Sequence, residues 1–210
     1  ADVIIPTFKP GDKLEKLLRR LLEQSVPVGR VIIMNTEEKY WDAERFESLF
    51  EGEDTMLTVC HIRQSEFDHG RTRHEGILKS DADVCICMTH DCVPYDRNLV
   101  KELLEALDAS ERVAAAYARQ LPATDCNIIE CHTRDFNYPD KSRVKRLSDL
   151  DTLGIKTYFC SNVCAAYRRD IYLKLGGFTK KTIFNEDMIF AGHAVEAGYQ
   201  IAYAADAQVI

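Results

Sequence analysis

Apolar residues in the first half of the chain come in two alternating formats, and this alternation restricts the fold more than any other feature. The runs Val3-Ile4-Ile5, Val31-Ile32-Ile33-Met34, Met56-Leu57-Thr58-Val59, Val84-Cys85-Ile86-Cys87-Met88 and residues 113–117 are, Thr58 apart, continuously apolar, not apolar at every second position. Between them lie stripes at helical spacing: Leu14, Leu17, Leu18, Leu21 and Leu22, then Phe46, Leu49 and Phe50, then Leu99, Leu103, Leu104 and Leu107. A strand apolar on both faces needs cover on both, whereas a half-exposed strand alternates. The pattern predicts an α/β fold: a mostly parallel, twisted, Rossmann-like sheet flanked by helices, in a single domain spanning residues 1–210. A chain of 210 residues is long enough to close one such core.

In parallel sheets, ligands bind beyond the carboxyl ends of the strands. Residues placed directly after the strands therefore become candidates: Thr7 between Pro6 and Phe8, Asn35, Arg63, and the triplet Thr89-His90-Asp91. From residue 119 to 153 the periodicity fails. This stretch carries Arg134, Lys141, Arg143, Lys145 and Arg146 among turn formers such as Asn137, Pro139 and Asp140. It is expected to be irregular and functional, either closing over phosphates as a lid or guiding an acidic or lipid-linked molecule at a membrane surface. Regular structure resumes with a strand over residues 158–167, a Gly176-Gly177 turn, a helix over 186–197 closed by Gly198, and a strand over 200–204. Both ends run directly into strands, which reads as a trimmed domain.

The formal charge of −7 argues against nucleic acid as a partner. No apolar run approaches the ~20 residues of a membrane span. Eight cysteines are present, but no Cys-x-x-Cys pair, so a structural zinc site is not supported. Several lie in apolar strands, where free Cys behaves as a small hydrophobe. Reduced thiols, and with them a cytoplasmic setting, are expected.

Two readings are open for each chemically interesting residue. Asp91, at the mouth of the sheet, can hold a hard divalent cation against a diphosphate, or it caps the helix starting near Asp96. Glu186-Asp187 opens a helix, where negative charge is favoured in any case. Equally, one of the two can act as a general base on a hydroxyl. Arg71 and Arg73, in Phe67-Asp68-His69-Gly70-Arg71-Thr72-Arg73, can pair with phosphates or form a solvated basic turn, with Gly70 permitting close backbone approach. His90, beside Asp91, is a weaker metal candidate.

Taken in order, these segments resemble the family 2 glycosyltransferases of GT-A fold, and especially their rhamnosyltransferase-like branch. Val3-Ile4-Ile5-Pro6-Thr7-Phe8 is similar to the family's first strand and nucleotide-contacting turn. Phe67-Asp68-His69-Gly70-x-Thr72-Arg73 is close to the branch's Phe-Asn-His-Gly-x-Thr-Arg. Thr89-His90-Asp91-Cys92-Val93-Pro94 is similar to its Thr-Gln-Asp-Ala-x-Pro, which stands where other members carry an Asp-x-Asp metal motif. Tyr117-Ala118-Arg119-Gln120-Leu121-Pro122 and Phe136-Asn137-Tyr138-Pro139 also match. So does Gly176-Gly177-Phe178 followed by Asn185-Glu186-Asp187-Met188.

The resemblance implies an inverting transferase that moves a sugar from a nucleotide diphosphate donor to a hydroxyl of a glycan or lipid-linked acceptor in bacterial surface polysaccharide synthesis. L-rhamnose from dTDP-rhamnose is the expected donor sugar, with a dTDP- or UDP-sugar as donor class. The implied setting is cytoplasmic, with peripheral association at the inner face of the cell membrane. Residues 1–118 would form the nucleotide-sugar half and 119–210 the acceptor half. Asp187 would be the catalytic base. Pro6, Thr7, Phe8, Asn35, Arg71, Arg73, Thr89, His90 and Asp91 would face the donor, Asp91 holding Mn²⁺ or Mg²⁺. Arg119, Gln120, Ser161, Asn162, Gly177 and Glu186 would lie on the acceptor side. Three positions depart from the family pattern: Thr89 for the first metal-motif Asp, Asn35 for a nucleoside-binding Asp, and His74 for an Asn. The family also continues past the equivalent of Ile210 with a His-containing, metal-assisting segment. Two alternatives remain: a sugar nucleotidylyltransferase, which should carry a Gly-rich loop where Pro6-Thr7-Phe8-Lys9-Pro10 stands, and a non-catalytic carbohydrate-binding domain.

Overall fold

A computed structural model describes residues 1–123 and 126–210. In chain order the elements are β1 (Asp2–Phe8), α1 (Asp12–Leu22), β2 (Arg30–Thr36), α2 (Ala43–Glu47), β3 (Met56–Ile62), α3 (His69–Leu78), β4 (Val84–Met88) and α4 (Leu99–Asp108). Then come β5 (Val113–Gln120), α5 (Ile128–Asn137), β6 (Arg143–Lys145), α6 (Leu150–Leu153), β7 (Cys164–Arg168), α7 (Arg169–Lys174), α8 (Glu186–Glu196) and β8 (Gln200–Val209). The strands form one sheet in the order β3-β2-β1-β4-β7-β5-β8-β6. Pairings among β1 to β4, and between β5 and β8, are parallel; β7 and β6 run antiparallel to their neighbours.

The fully apolar strands are explained by burial on both faces. Val3 and Ile5 join a core built with Leu14, Leu17, Leu18 and Leu21 of α1 and Leu99, Leu103 and Leu107 of α4. Ile4, between them, points the other way, into a core with Ile77 of α3, Tyr172 of α7 and Phe190 of α8. With side chains alternating across the sheet, two helical layers leave no polar face.

Four expectations need correction. The basic stretch around Arg71 and Arg73 is a helix, α3, not a turn: Asp68 caps it by accepting the Arg71 backbone N–H at 2.8 Å. Its apolar stripe is short because two of its buried residues are glycines, which periodicity does not register. The described part of the stretch 119–153 is not irregular throughout; it contains α5, β6 and α6. Helix α5 buries no residue completely, so it lacks an apolar stripe to read. The strand expected over 158–167 is confined to Cys164–Arg168, and the chain before it is taken up by a 3-10 helix over Gly154–Tyr158. Finally, thiols are not free throughout. Cys126 and Cys131 form a disulfide, their Cα atoms 6.3 Å apart around the first turn of α5. The other six are free, five of them buried.

Candidate functional site

The topology brings the carboxyl ends of β1 to β4 to one edge. Strand β7 enters there by its amino end, since Met88 pairs with Cys164. The loops beyond these two ends are tied together where the Thr89 N–H donates to the Val163 carbonyl at 3.1 Å. The Asp91 loop and the Ser161-Asn162 loop thus share a wall although some seventy residues separate them in sequence.

Glu186 and Asp187 meet that wall from the first turn of α8. The Asn162 N–H donates to Asp187 Oδ2 at 2.7 Å, and the Met188 N–H donates to Oδ1 at 2.8 Å. Asn162 Nδ2 donates to Glu186 Oε1 at 3.0 Å, while Tyr167 donates its hydroxyl to Asn162 Oδ1 at 2.7 Å. The N-cap, Asn185, is held in the left-handed region at φ 67° with no side-chain cap bond, and Asp187 itself takes up one first-turn N–H, that of Met188. Burial holds the Asp187 carboxyl above the usual carboxylate range. The Glu186 charge adds to this, against the downward pull of the Asn162 and Met188 N–H groups and of Arg73. A carboxylate in such surroundings is a stronger base than one in water.

Arg73 supports the pair from α3. Its Nη1 lies 3.2 Å from Glu186 Oε1, both side chains almost fully buried, and also donates to the His69 carbonyl at 3.1 Å. Its Nε is buried without a partner among the described residues. Gly70 makes this approach possible: a Cβ there would stand 2.3 Å from the Thr179 carbonyl and 3.2 Å from Glu186 Cβ. The close approach expected at Gly70 is therefore to the chain's own α8 entrance.

Along the same edge, Thr7 and Asn35 face each other across β1 and β2. Thr7 donates to Asn35 Oδ1 at 3.0 Å, and Asn35 Nδ2 is shared between the Glu37 carbonyl and His61 Nδ1. Both are buried, as is Pro6, so these side chains shape the floor. Exposed Phe8 lies edge-on to Tyr40 beside them.

Asp91 is exposed on a groove of about 540 Å³ that also touches Thr89, Gln120 and Val163. The helix-capping alternative fails: α4 begins at Leu99 with Asn98 as its N-cap, and the Asp91 carboxylate accepts no bond among the described residues. No group of three or more His, Cys, Asp or Glu suited to a metal exists among the described residues. A hard cation held through one carboxylate and the phosphates of a substrate needs no such cage, and a free, exposed carboxylate meets that requirement. His90 is half-buried next to it.

Other candidates lie apart from this cluster or act through packing. Arg71 and Arg63 are exposed and paired with Glu75 and Glu66, both at 2.8 Å. Gly177, at φ +71°, sits where a Cβ would press within 2.5 Å of the His74 ring. Arg119 is half-buried next to Gln120, whose Nε2 donates to Ser161 Oγ at 3.0 Å and to the Tyr138 hydroxyl. The sequence did not mark His61, and it marked Tyr138 and His74 only as motif positions, without their contacts. The His74 Nδ1 lies 3.0 Å from the Tyr172 hydroxyl, and burial lowers the tendency of its ring to charge. Their partners are remote in sequence, so no local signal marks them.

The described architecture is shared with solved structures. S. aureus TarS 1-349 superposes with a TM-score of 0.76 at 14% identity, over 99% of this chain and 58% of that one. A mannosyltransferase from Pyrobaculum calidifontis, in complex with GDP-Man and Mn²⁺, gives 0.74 at 16%, over 99% and 55%. At these identities the likeness establishes the fold alone. Sequence relatives are nearer. The O-antigen chain rhamnosyltransferase RfbN of Salmonella typhimurium is 36% identical over 208 residues, and WbaN of Salmonella anatum is 34% identical over 209. Each alignment takes in 99% of this chain, and the chain spans 64% of each relative's length. The sequence profile described as Glycosyl transferase family 2 matches residues 2–176, and the chain belongs to that family.

Proposed function

We propose that this chain carries the catalytic site of an inverting glycosyltransferase, with L-rhamnose from dTDP-rhamnose as the transferred sugar. The acceptor is a hydroxyl of a glycan or lipid-linked saccharide in bacterial surface polysaccharide synthesis. One observation carries the reading most. Asp187, half-buried and of raised basicity, is fixed by the Asn162 N–H on a loop hydrogen-bonded to the one that presents the free carboxylate of Asp91. The identity to two rhamnosyltransferases supports the choice of sugar.

In this reading the Asp187 carboxylate takes the proton of the acceptor hydroxyl as its oxygen attacks the anomeric carbon from the face opposite the diphosphate. The bond from that carbon to the diphosphate oxygen breaks, and the electron pair leaves with the nucleoside diphosphate. A single displacement of this kind inverts the anomeric centre. A positioned base of this type contributes roughly 10²- to 10⁴-fold in rate. Asp91 would hold the divalent cation, Mn²⁺ or Mg²⁺, which when bound would supply neutralising charge for the departing diphosphate. Thr7, Asn35 and Phe8 form the nucleoside end of the cleft, and Arg73 fixes Glu186 and the α8 entrance. Asn162, Ser161, Gln120 and Arg119 border the acceptor.

No helix of the described residues is long and apolar enough to cross a membrane. A lipid-linked acceptor would place the protein at the inner membrane face, which we include in the proposal. The test is donor turnover: dTDP-rhamnose, UDP-glucose and GDP-mannose are each incubated with the protein and Mn²⁺, and released nucleoside diphosphate is separated chromatographically. Preferential release of dTDP supports the reading. Equal rates for all three, or release unaffected by chelator, would overturn it.

A further inference from the structure

The sheet end remote from the nucleoside carries a second cavity. Tyr117 of β5, Tyr203 of β8 and Lys145 of β6 come from its last three strands, and Phe159 and Phe136 close over them around about 360 Å³. With Thr7 and Asn35 on β1 and β2, at least three strand spacings of ~4.8 Å separate Tyr117 from the nucleoside end. A nucleoside bound there cannot fill this cavity.

Its lining is unlike the rest of the molecule. The chain is acidic overall, yet Lys141, Arg143, Lys145 and Lys156 line the cavity and no carboxylate does. Lys145 is 97% buried, at 3% relative exposure, and has no carboxylate partner among the described residues. Its ammonium donates to the Tyr117 hydroxyl oxygen at 3.2 Å, to the Lys156 carbonyl at 3.1 Å and to the Phe159 carbonyl. Those three bonds use all its protons. The Tyr117 oxygen is thus an acceptor towards Lys145, which leaves its own O–H to donate elsewhere, and it has no other partner among the described residues. Burial keeps that proton on the oxygen. A buried cation without a counter-charge is costly, and a bound anion would supply one.

The cavity also reaches the candidate site. Phe159 stands three residues before Asn162, whose N–H holds Asp187. Tyr138, in ring contact with both Phe159 and Tyr203, receives the Gln120 amide that also holds Ser161. A ligand in the cavity would therefore lean on the acceptor wall.

We infer that this cavity binds a pyranose bearing a phosphate, the aromatic rings packing on the sugar's C–H faces and the basic rim taking the charge. This rests on the transferase reading, in which it is the part of the acceptor beyond the attacked hydroxyl. Concave, aromatic-lined sites with few convergent polar groups are the usual form for such ligands. The probe is glucose 1-phosphate, titrated calorimetrically into the full chain, alongside glucose, inorganic phosphate and dTDP with Mn²⁺. Glucose 1-phosphate should bind saturably and more tightly than glucose or phosphate alone. It should still bind when dTDP and Mn²⁺ are saturating. Arg143→Gln with Lys156→Gln should weaken it about tenfold or more, as should Phe136→Ala, since Phe136 is 63% exposed and its ring can be lost without opening the core. No binding, unchanged binding in both variants, or competition by dTDP would each overturn the inference. Normal dTDP binding beside absent sugar-phosphate binding would sink this site and leave the donor reading standing. The reverse pattern would sink the donor reading instead.

Discussion

The Asp187 carboxylate accepts the backbone N–H of Asn162 at 2.7 Å, across twenty-five positions of sequence. A backbone donor cannot rotate away, so the orientation of Asp187 follows from the path of the loop before β7. Burial and the neighbouring Glu186 hold its carboxyl above the usual range. The acid limb of kcat/KM should therefore lie above the ordinary carboxylate range near pH 4, with activity rising as Asp187 ionises. Asp187→Asn should lower kcat by roughly 10²-fold or more. A pH–rate profile with its limb at or below the ordinary value would contradict the base assignment.

Stability should move the other way. The folded state holds this carboxyl above its unfolded value, so its contribution is full below the unfolded pKa and lost as pH rises through the folded one. Asp187→Asn cannot ionise, and its amide can accept only one of the two N–H groups that the carboxylate holds, so the pH dependence carries the test. Its urea midpoint relative to the parent should be higher at pH 7 than below about pH 4. A midpoint difference that stays the same between these pH values would contradict the raised basicity.

Arg73 and Glu186 form a buried pair 3.2 Å apart. Removing one member leaves an uncompensated charge, so Arg73→Met should cost about 3–5 kcal/mol. Glu186→Gln in the same chain should recover part of it. Urea unfolding of the two single variants and the double gives the coupling, and strictly additive losses would show that the pair does not act as one.

Gly70→Ala would ordinarily favour a helix. Here the new Cβ meets the Thr179 carbonyl and Glu186 Cβ. Overpacking of this kind costs about 1–3 kcal/mol, and the shift should pass into the α8 entrance and lower activity. A variant with unchanged melting and turnover would show that α3 and α8 need not lie so close.

The parallel sheet and its two helical layers were legible in the sequence because Val3, Ile4 and Ile5 are all apolar. That is the mark of a strand covered on both sides. Helix α3 was not legible, since Gly70 and Gly76 sit where it touches neighbouring elements and register nothing on a hydrophobic scale. Helix α5 was missed for the opposite reason: it packs too little to need a stripe. In the site, Asp91 and Asp187 could be named from their places after a strand and at a helix start. The roles of Asn162 as anchor, of His61 beside Asn35 and of Tyr138 beneath Gln120 depend on contacts between remote segments. The disulfide escaped because five-residue spacing carries no pairing signal of its own.

The most direct test separates the two carboxylates. Calorimetric titration with dTDP in the presence of Mn²⁺ would be run on the parent, Asp91→Ala and Asp187→Asn, with metal-free titrations beside each. Binding should be metal-dependent in the parent, weakened at least about tenfold (1.4 kcal/mol) in Asp91→Ala and unchanged in Asp187→Asn. Equal binding by the parent and Asp91→Ala, or loss of binding in Asp187→Asn alone, would contradict the roles given to the two carboxylates.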